Sequence, residues 1–305
     1  MFKTLRFVLA LMLGALALPL FSDSFAGASS APSPQCVVSL SPTATETLFA
    51  IGAGSQVQAV DTDSDYPTTG LPTKRINALN PSVEAILSIC KSTSSHPSTK
   101  PDLVVISYDA NSIQQKLTGL GVKVVFQDAA TSVGNALGQI RQLGRLTGHV
   151  DTADALASSL SATITADIKS IPPHPTKKIT VYYEVATHPY YSLTSQTFVG
   201  SLMKSLGLIN IADADSTTAD AGYPQLSAEY IISANPKLIF LDDSQTPANV
   251  AKRPGFSKMS AVENNNVIAL NEDIASRWGP RLGLLMNQLT AVVKSTLKDS
   301  KLWKK

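Results

Sequence analysis

The chain has 305 residues, enough for two domains, and its 44% hydrophobic share with a mean hydropathy of +0.09 is that of a globular protein. A net charge of +2, with no basic tract and no interleaving of aromatic and basic residues, argues against a nucleic-acid partner.

The chain opens on a segment of different character. Lys3 and Arg6 precede an apolar run from Phe7 to Phe21, and Ala26-Gly27-Ala28 supplies small residues for cleavage. The run is short and broken by Gly14 and Pro19, which speaks against a membrane anchor. Residues 1–28 are therefore expected to be an export signal cleaved near Ala28, giving a periplasmic protein. Pro34-Gln35 precede Cys36 where a lipid-attachment signal would carry small residues, so a soluble product is expected, with 29–36 a disordered Pro/Ser-rich leader.

Val37–Leu40 reads as a buried strand. A turn at Ser41-Pro42-Thr43 leads to a helix, Ala44–Ile51, with Gly52 at its end. Val57–Val60 is a second strand, followed by the loop DTDSDYP. A helix begins near Ser82 and ends at Cys90. Leu103–Ile106 and Val122–Phe126 are further strands, with a helix over Ser112–Leu120 between them and another over Val133–Leu146. Leu156, Leu160, Ile164 and Ile168 then recur every fourth residue beside Ala153, Ala157 and Ile171, a single apolar stripe. This predicts a long helix over 151–171, with Asp151 as N-cap and Pro172-Pro173 as the stop. Beyond it come the strand Ile179–Val185, the loop ATHPYYSLTSQ and the helices Phe198–Leu206 and Ala228–Ala234. The strands Leu238–Leu241 and Val267–Leu270 and a helix over Gly279–Lys298 complete the chain.

One grammar appears on both sides of the long helix: a buried strand, a helix closed by Gly, a Ser-x-Glu helix start, then Pro-x-Leu into a strand. Glu84 stands 17 residues before Pro101 and Glu229 stands 7 before Pro236, a difference that the insertion CKSTSSHPST accounts for. The expected fold is α/β: two similar lobes with mainly parallel sheets, 37–150 and 172–305, joined by the single helix 151–171. A single helical bridge resists hinge bending, because bending it breaks backbone hydrogen bonds, so lobe closure should be small.

Ligands of such sheets bind beyond the carboxyl ends of the strands, here between the lobes. The loops at those ends hold Asp63, Tyr66, Asn80 and Tyr108 in the first lobe. In the second they hold His188, Tyr190, Tyr191, Tyr223, Arg277 and Trp278. Five of the eight tyrosines lie there, which suits a bulky, rigid, partly apolar ligand. No nucleophile elbow, zinc-protease motif, phosphate loop or dinucleotide fingerprint is present, and no catalytic residue, resident metal or cofactor is expected. Of the four histidines only His188 falls in a cleft loop, where it could ligate a metal-containing ligand.

In a parallel sheet the helices run antiparallel to the strands. The helix ending at Cys90 therefore returns to the edge where Cys36 opens the first strand, and a disulfide is expected. Glu84 and Glu229 each occupy the first turn of the equivalent helix, favoured there by the helix dipole. Their repetition gives one exposed acid per lobe, which a symmetric dimeric partner could hold.

The segments VVSLSPTATETLFAIGAG, DSDYP, NPSVEAIL, PDLVVIS and RWGPR resemble the periplasmic solute-binding proteins whose lobes are bridged by one helix and which serve ABC importers for vitamin B12, iron siderophores and haem. The resemblance runs from Val37 to Leu297 and is strongest to the B12-binding branch. It implies a monomeric receptor for a corrinoid, with a ferric siderophore or haem as the alternative, and an ABC permease dimer with its ATPase as partner. It also implies that Glu84 and Glu229 dock on permease arginines. The B12 pattern has a tyrosine where this chain has Asp63 and a tryptophan in the loop occupied by Ile76–Asn80. Tyr108, Tyr190, Tyr191 and Trp278 are candidates to compensate, while Arg277 and Arg281 would suit an anionic ligand.

Overall fold

Four-residue apolar runs with no polar alternation need cover on both faces, and Leu103–Ile106 and Leu238–Leu241 receive it, with every residue buried. The computed structural model describes residues 33–94, 97–173, 176–214, 221–299 and 302. The expected export segment, residues 29–32 of the expected leader, His96 and His174 lie outside the described residues. Strands β1 (Val37–Leu40), β2 (Val57–Asp61), β3 (Arg75–Ile76), β4 (Leu103–Ile106) and β5 (Val124–Phe126) form a parallel sheet in the order β3-β2-β1-β4-β5. β6 (Ile179–Glu184), β9 (Leu208–Asn210), β10 (Leu238–Leu241) and β11 (Val267–Ala269) form a second parallel sheet in the order β11-β10-β6-β9. Matching β1 with β6, β2 with β9, β4 with β10 and β5 with β11 gives the same strand order in both; only β3 is extra. β7 (Ala186–Thr187) and β8 (Tyr190–Tyr191) form a small antiparallel hairpin.

The period of two along each strand divides its side chains between two cores. In the first sheet Val37, Val60, Leu103 and Val105 face α1 (Pro42–Ala50), α4 (Val133–Thr147) and α5 (Val150–Lys169). Val38, Leu40, Ala59, Val104 and Ile106 face α2 (Val83–Leu87) and α3 (Ile113–Gly119). In the second, Ile179, Val181, Tyr183, Leu238 and Phe240 face α6 (Phe198–Ser205) and α11 (Leu282–Lys298). Tyr182, Ile239, Leu241 and Val267 face α7 (Ala228–Ala234), α8 (Pro247–Ala251) and α9 (Ser260–Glu263). A short α10 (Glu272–Ala275) precedes α11.

α5 is the long helix, and its stripe is shared. Ala153, Ala157 and Leu160 belong to the core of the first sheet and Ile164 to that of the second. Leu156 packs on the first core, Ile168 and Ile171 on the second. A Cβ at Gly144 would lie 2.4 Å from the Ala153 Cβ, so α4 and α5 touch where no side chain larger than hydrogen fits.

Several boundaries differ from the sequence expectation. α5 begins at Val150, so Asp151 lies in its first turn and not at the cap, which His149 occupies without a capping side chain. α11 begins at Leu282 and not Gly279, because residues 276–281 turn aside to contact the other lobe before the helix starts. β3 and the β7–β8 hairpin were not expected, since a two-residue strand carries no periodicity.

Cys36 and Cys90 are joined by a disulfide, with a Cα–Cα distance of 6.1 Å. The Asp102 carboxylate, one residue before β4, accepts from the Gln35 and Cys36 N–H groups at 2.8 and 3.0 Å, fixing the entry to β1. The bond closes a loop of 54 residues, so the Cys36→Ser/Cys90→Ser protein should lose about 4 kcal/mol of stability. Denaturant titration of both forms checks this, and equal midpoints would contradict it.

Candidate ligand cleft

The carboxyl ends of the two sheets meet along the segment 276–281. A Cβ on Gly279 would stand 3.3 Å from the Thr43 carbonyl oxygen, at the start of α1, so glycine permits the close approach. Trp278 donates its indole N–H to Gln139 Oε1 on α4 at 2.7 Å and packs on the second core.

Beside this contact lies an ion network. Glu46, on the inner face of α1, is 1% exposed. It accepts from Arg277 Nη1 at 2.8 Å, Arg281 Nη2 at 2.5 Å and Arg281 Nε at 2.9 Å. Arg277, 7% exposed, also donates to Asp65 Oδ1 at 2.6 Å, Asp273 Oδ1 at 2.7 Å and the Asp63 carbonyl at 3.1 Å. The Arg281 guanidinium lies over the Tyr66 ring, 4.5 Å from its centroid. Burial works to raise the Asp65 carboxyl, but the Arg277 hydrogen bond and charge outweigh it and hold the group low. Asp273 is pushed up, by burial first and then by Asp65. Two guanidinium groups thus face three carboxylates.

The second lobe has its own buried pair. Glu184, fully buried at the end of β6, takes both Arg253 Nη1 at 2.5 Å and Nη2 at 2.8 Å, and the Tyr182 hydroxyl at 3.2 Å. Arg253 also lies over the Tyr190 and Phe256 rings at 5.4 and 5.5 Å. At the end of β10, Asp242 accepts from the Tyr183 hydroxyl at 2.9 Å, and Thr187 donates to Asp243. Burial pushes Asp242 up to about 7, and Glu272 and Asp243 add to the rise. At the end of β2, burial pushes Asp61 up to about 6, against the hydrogen bond from Ser64.

The predicted cleft residues separate into two groups. Tyr108, Tyr223, Tyr191, Asp63, Asn80 and His188 are exposed, Tyr108 at 62%. Asn80 is held by the Asn111 amide at 3.1 Å. Tyr66 is exposed on one side and covered by Arg281 on the other. The rest are committed inside the protein. Arg277 is a buried interlobe group and not a free ligand contact, because its donors are taken by Glu46, Asp65, Asp273 and Asp63. Arg281 is likewise taken by Glu46. Tyr190 packs against Phe256, with ring centroids 5.8 Å apart, inside its own lobe, and Trp278 is half-buried against the second core. Sequence reasoning missed Glu46, Glu184 and Arg253. A carboxylate set among Ala44 and Leu48 on an apolar helix face was the available signal for Glu46.

Ser82 and Ser227 cap α2 and α7, each accepting from the N–H three residues on at 3.1 Å. Glu84 and Glu229 are exposed two residues after their caps. Ile86 and Ile231 anchor the two helices on the sheet faces turned away from α5, so the two acids hold equivalent positions. The Glu84 carboxyl is lowered by its own backbone N–H and then by Ser82.

Two parallel sheets of matching order, joined by a shared helix with their carboxyl ends turned to each other, define a two-lobed fold. Residues 37–274 match the periplasmic binding protein family, and the chain belongs to it, as a binding protein of the ABC importer type. It is 30% identical over 259 residues to an uncharacterized ABC transporter substrate-binding lipoprotein of Bacillus subtilis, covering 82% of this chain and 76% of that protein. Among solved structures, a possible iron-binding periplasmic solute-binding protein of Staphylococcus epidermidis aligns with a TM-score of 0.72 and 27% identity, over 86% of this chain and 99% of that one. The periplasmic vitamin B12-binding protein of Vibrio cholerae aligns with a TM-score of 0.72 and 25% identity, over 88% and 99%. Among the described residues no helix is long and apolar enough to cross a membrane.

The raised Asp242 carboxyl has a consequence for stability. The folded chain keeps a proton there that the unfolded chain, titrating near 3.8, has already released. Stability from this group is therefore full below pH 4 and declines as pH rises to about 7. Asp242→Asn should melt higher than the parent at pH 8, and the gain should shrink as pH falls towards 4. Melting curves across that range check it; a gain independent of pH would contradict it.

Proposed function

We propose that this protein is the exported receptor of an ABC importer that captures a corrinoid and delivers it to the permease. The supporting observation is that Arg277 and Arg281 already hold the carboxylates of Glu46, Asp65 and Asp273. Haem propionates and the catecholate and carboxylate siderophores carry negative charge, which free cations would hold best. Here the segments beyond the strand ends carry the carboxylates of Asp63, Asp243 and Glu272, which repel them. A corrinoid asks instead for aromatic faces and neutral hydrogen-bonding groups, as Tyr66, Tyr108, Tyr191, Tyr223 and Asn80 supply. A vitamin B12-binding protein and a possible iron-binding protein align with the same TM-score of 0.72, so the choice of ligand rests on the groups in the cleft. In this reading residues 1–28 direct export and are removed, and the protein binds its solute without turning it over.

Calorimetry with cyanocobalamin, a panel of ferric siderophores and haemin tests the ligand. Cyanocobalamin should bind and the anionic ligands should not. No heat from cyanocobalamin at about 100 µM, where a site worth about 5.5 kcal/mol would register, rejects the corrinoid.

Glu84 and Glu229 are the docking acids in this reading, one per lobe for the two halves of the permease. Glu84→Ala and Glu229→Ala should leave solute affinity unchanged, because both side chains are exposed at helix starts on the faces turned away from α5. Each should slow association with the permease and weaken its salt dependence, and the double change should cut transport by about tenfold or more. Solute binding and uptake through the reconstituted importer are the two measurements. Normal uptake by the double variant rejects the docking role.

A further inference from the structure

The joint between the lobes has two parts. One is covalent, α5. The other is Glu46 with Arg277 and Arg281, residues 231 and 235 positions away in sequence and in the opposite lobe. The two lie close together. Gly283, in the first turn of α11, would bring a Cβ to 3.4 Å from Leu160, the last side chain of α5 in the first core. The Glu46 contact therefore sits beside the point where α5 passes from one lobe to the other.

Both cations that neutralise Glu46 belong to the second lobe. Rotating the lobes apart would strand a carboxylate that is 1% exposed, and an uncompensated buried charge is strongly unfavourable. A buried ion pair adds little net stability compared with apolar packing of the same shape. What it does supply is direction: Arg281 meets Glu46 through two parallel N–H···O bonds, and that fork fixes orientation as well as distance. Gly279 on Thr43 and Trp278 on Gln139 hold the same segment from either side.

We propose that Glu46 is a positioning residue: with Arg277 and Arg281 it forms a second, ionic pivot that fixes the angle between the lobes before any solute arrives. On this view α5 sets the separation of the lobes and Glu46 sets their rotation about it. The proposal does not depend on which solute the cleft takes.

The test uses the full exported chain without solute. Both native cysteines are in the disulfide, so spin labels can be attached selectively at Gln115→Cys on α3 and Lys204→Cys on α6, both exposed and distant in sequence from the pivot. Pulsed electron resonance then reads the distribution of distances between the lobes. The parent should give one narrow peak. Glu46→Gln, close in volume, should lose that peak and shift weight to a broader spread. Arg281→Gln should do the same, and the double variant should add little, as expected for partners in one interaction. A purely local role would lower the melting temperature and leave the distribution narrow, and that outcome overturns the proposal. If Glu46→Gln does not fold, Arg281→Gln alone decides: an unchanged narrow peak refutes the pivot, and a broadened one supports it.

Discussion

Everything in this fold depends on one helix burying a single stripe in two different cores. Leu160 closes the first and Ile164, one turn later, opens the second. Neither sheet can complete its apolar cover without its share of α5, so the lobes fold as partners across a common wall. The close contact of Gly144 with Ala153 seats that wall against α4. The cleft is a consequence: two sheets fixed to one rod present their carboxyl edges to each other, and the loops at those edges line the space between them.

The chemistry of that surface is set by what its charged groups already hold. Arginines in an interlobe cleft suggest anion capture when seen in a sequence. In the fold they are donors to carboxylates of the same chain, and their strength goes into joining the lobes. The aromatic groups divide in a similar way. Tyr190 and Trp278 are structural, while Tyr108, Tyr191 and Tyr223 keep a face towards solvent. Carboxyls at the ends of β2 and β10, raised by burial, give each lobe an acid that titrates closer to neutrality than an ordinary aspartate.

Much of the architecture was legible in the sequence because it rests on local rules. Period four fixed the long helix, Ser-x-Glu fixed the starts of α2 and α7, and unbroken apolar runs marked β4 and β10 as covered on both faces. The disulfide followed from the antiparallel course of helix and strand. What escaped was either too short or too distant. β3 and the β7–β8 hairpin span two residues per strand, below any period. Glu46 finds its arginines more than 230 residues away, and no spacing rule links an acid in the first helix to RWGPR before the last. Arg277, Arg281, Tyr190 and Trp278 each have a partner within the chain that the sequence alone does not reveal.

The bonds from Asp102 to the Gln35 and Cys36 N–H groups also govern how the molecule is oriented. They pin the entry of the chain to the edge where the strands begin, next to the disulfide. α2 and α7 start from the opposite edge, so Glu84, Glu229 and the mouth of the cleft all face away from that entry. Gln35 and Cys36 therefore lie behind the cleft, on the side of the sheet away from both acids.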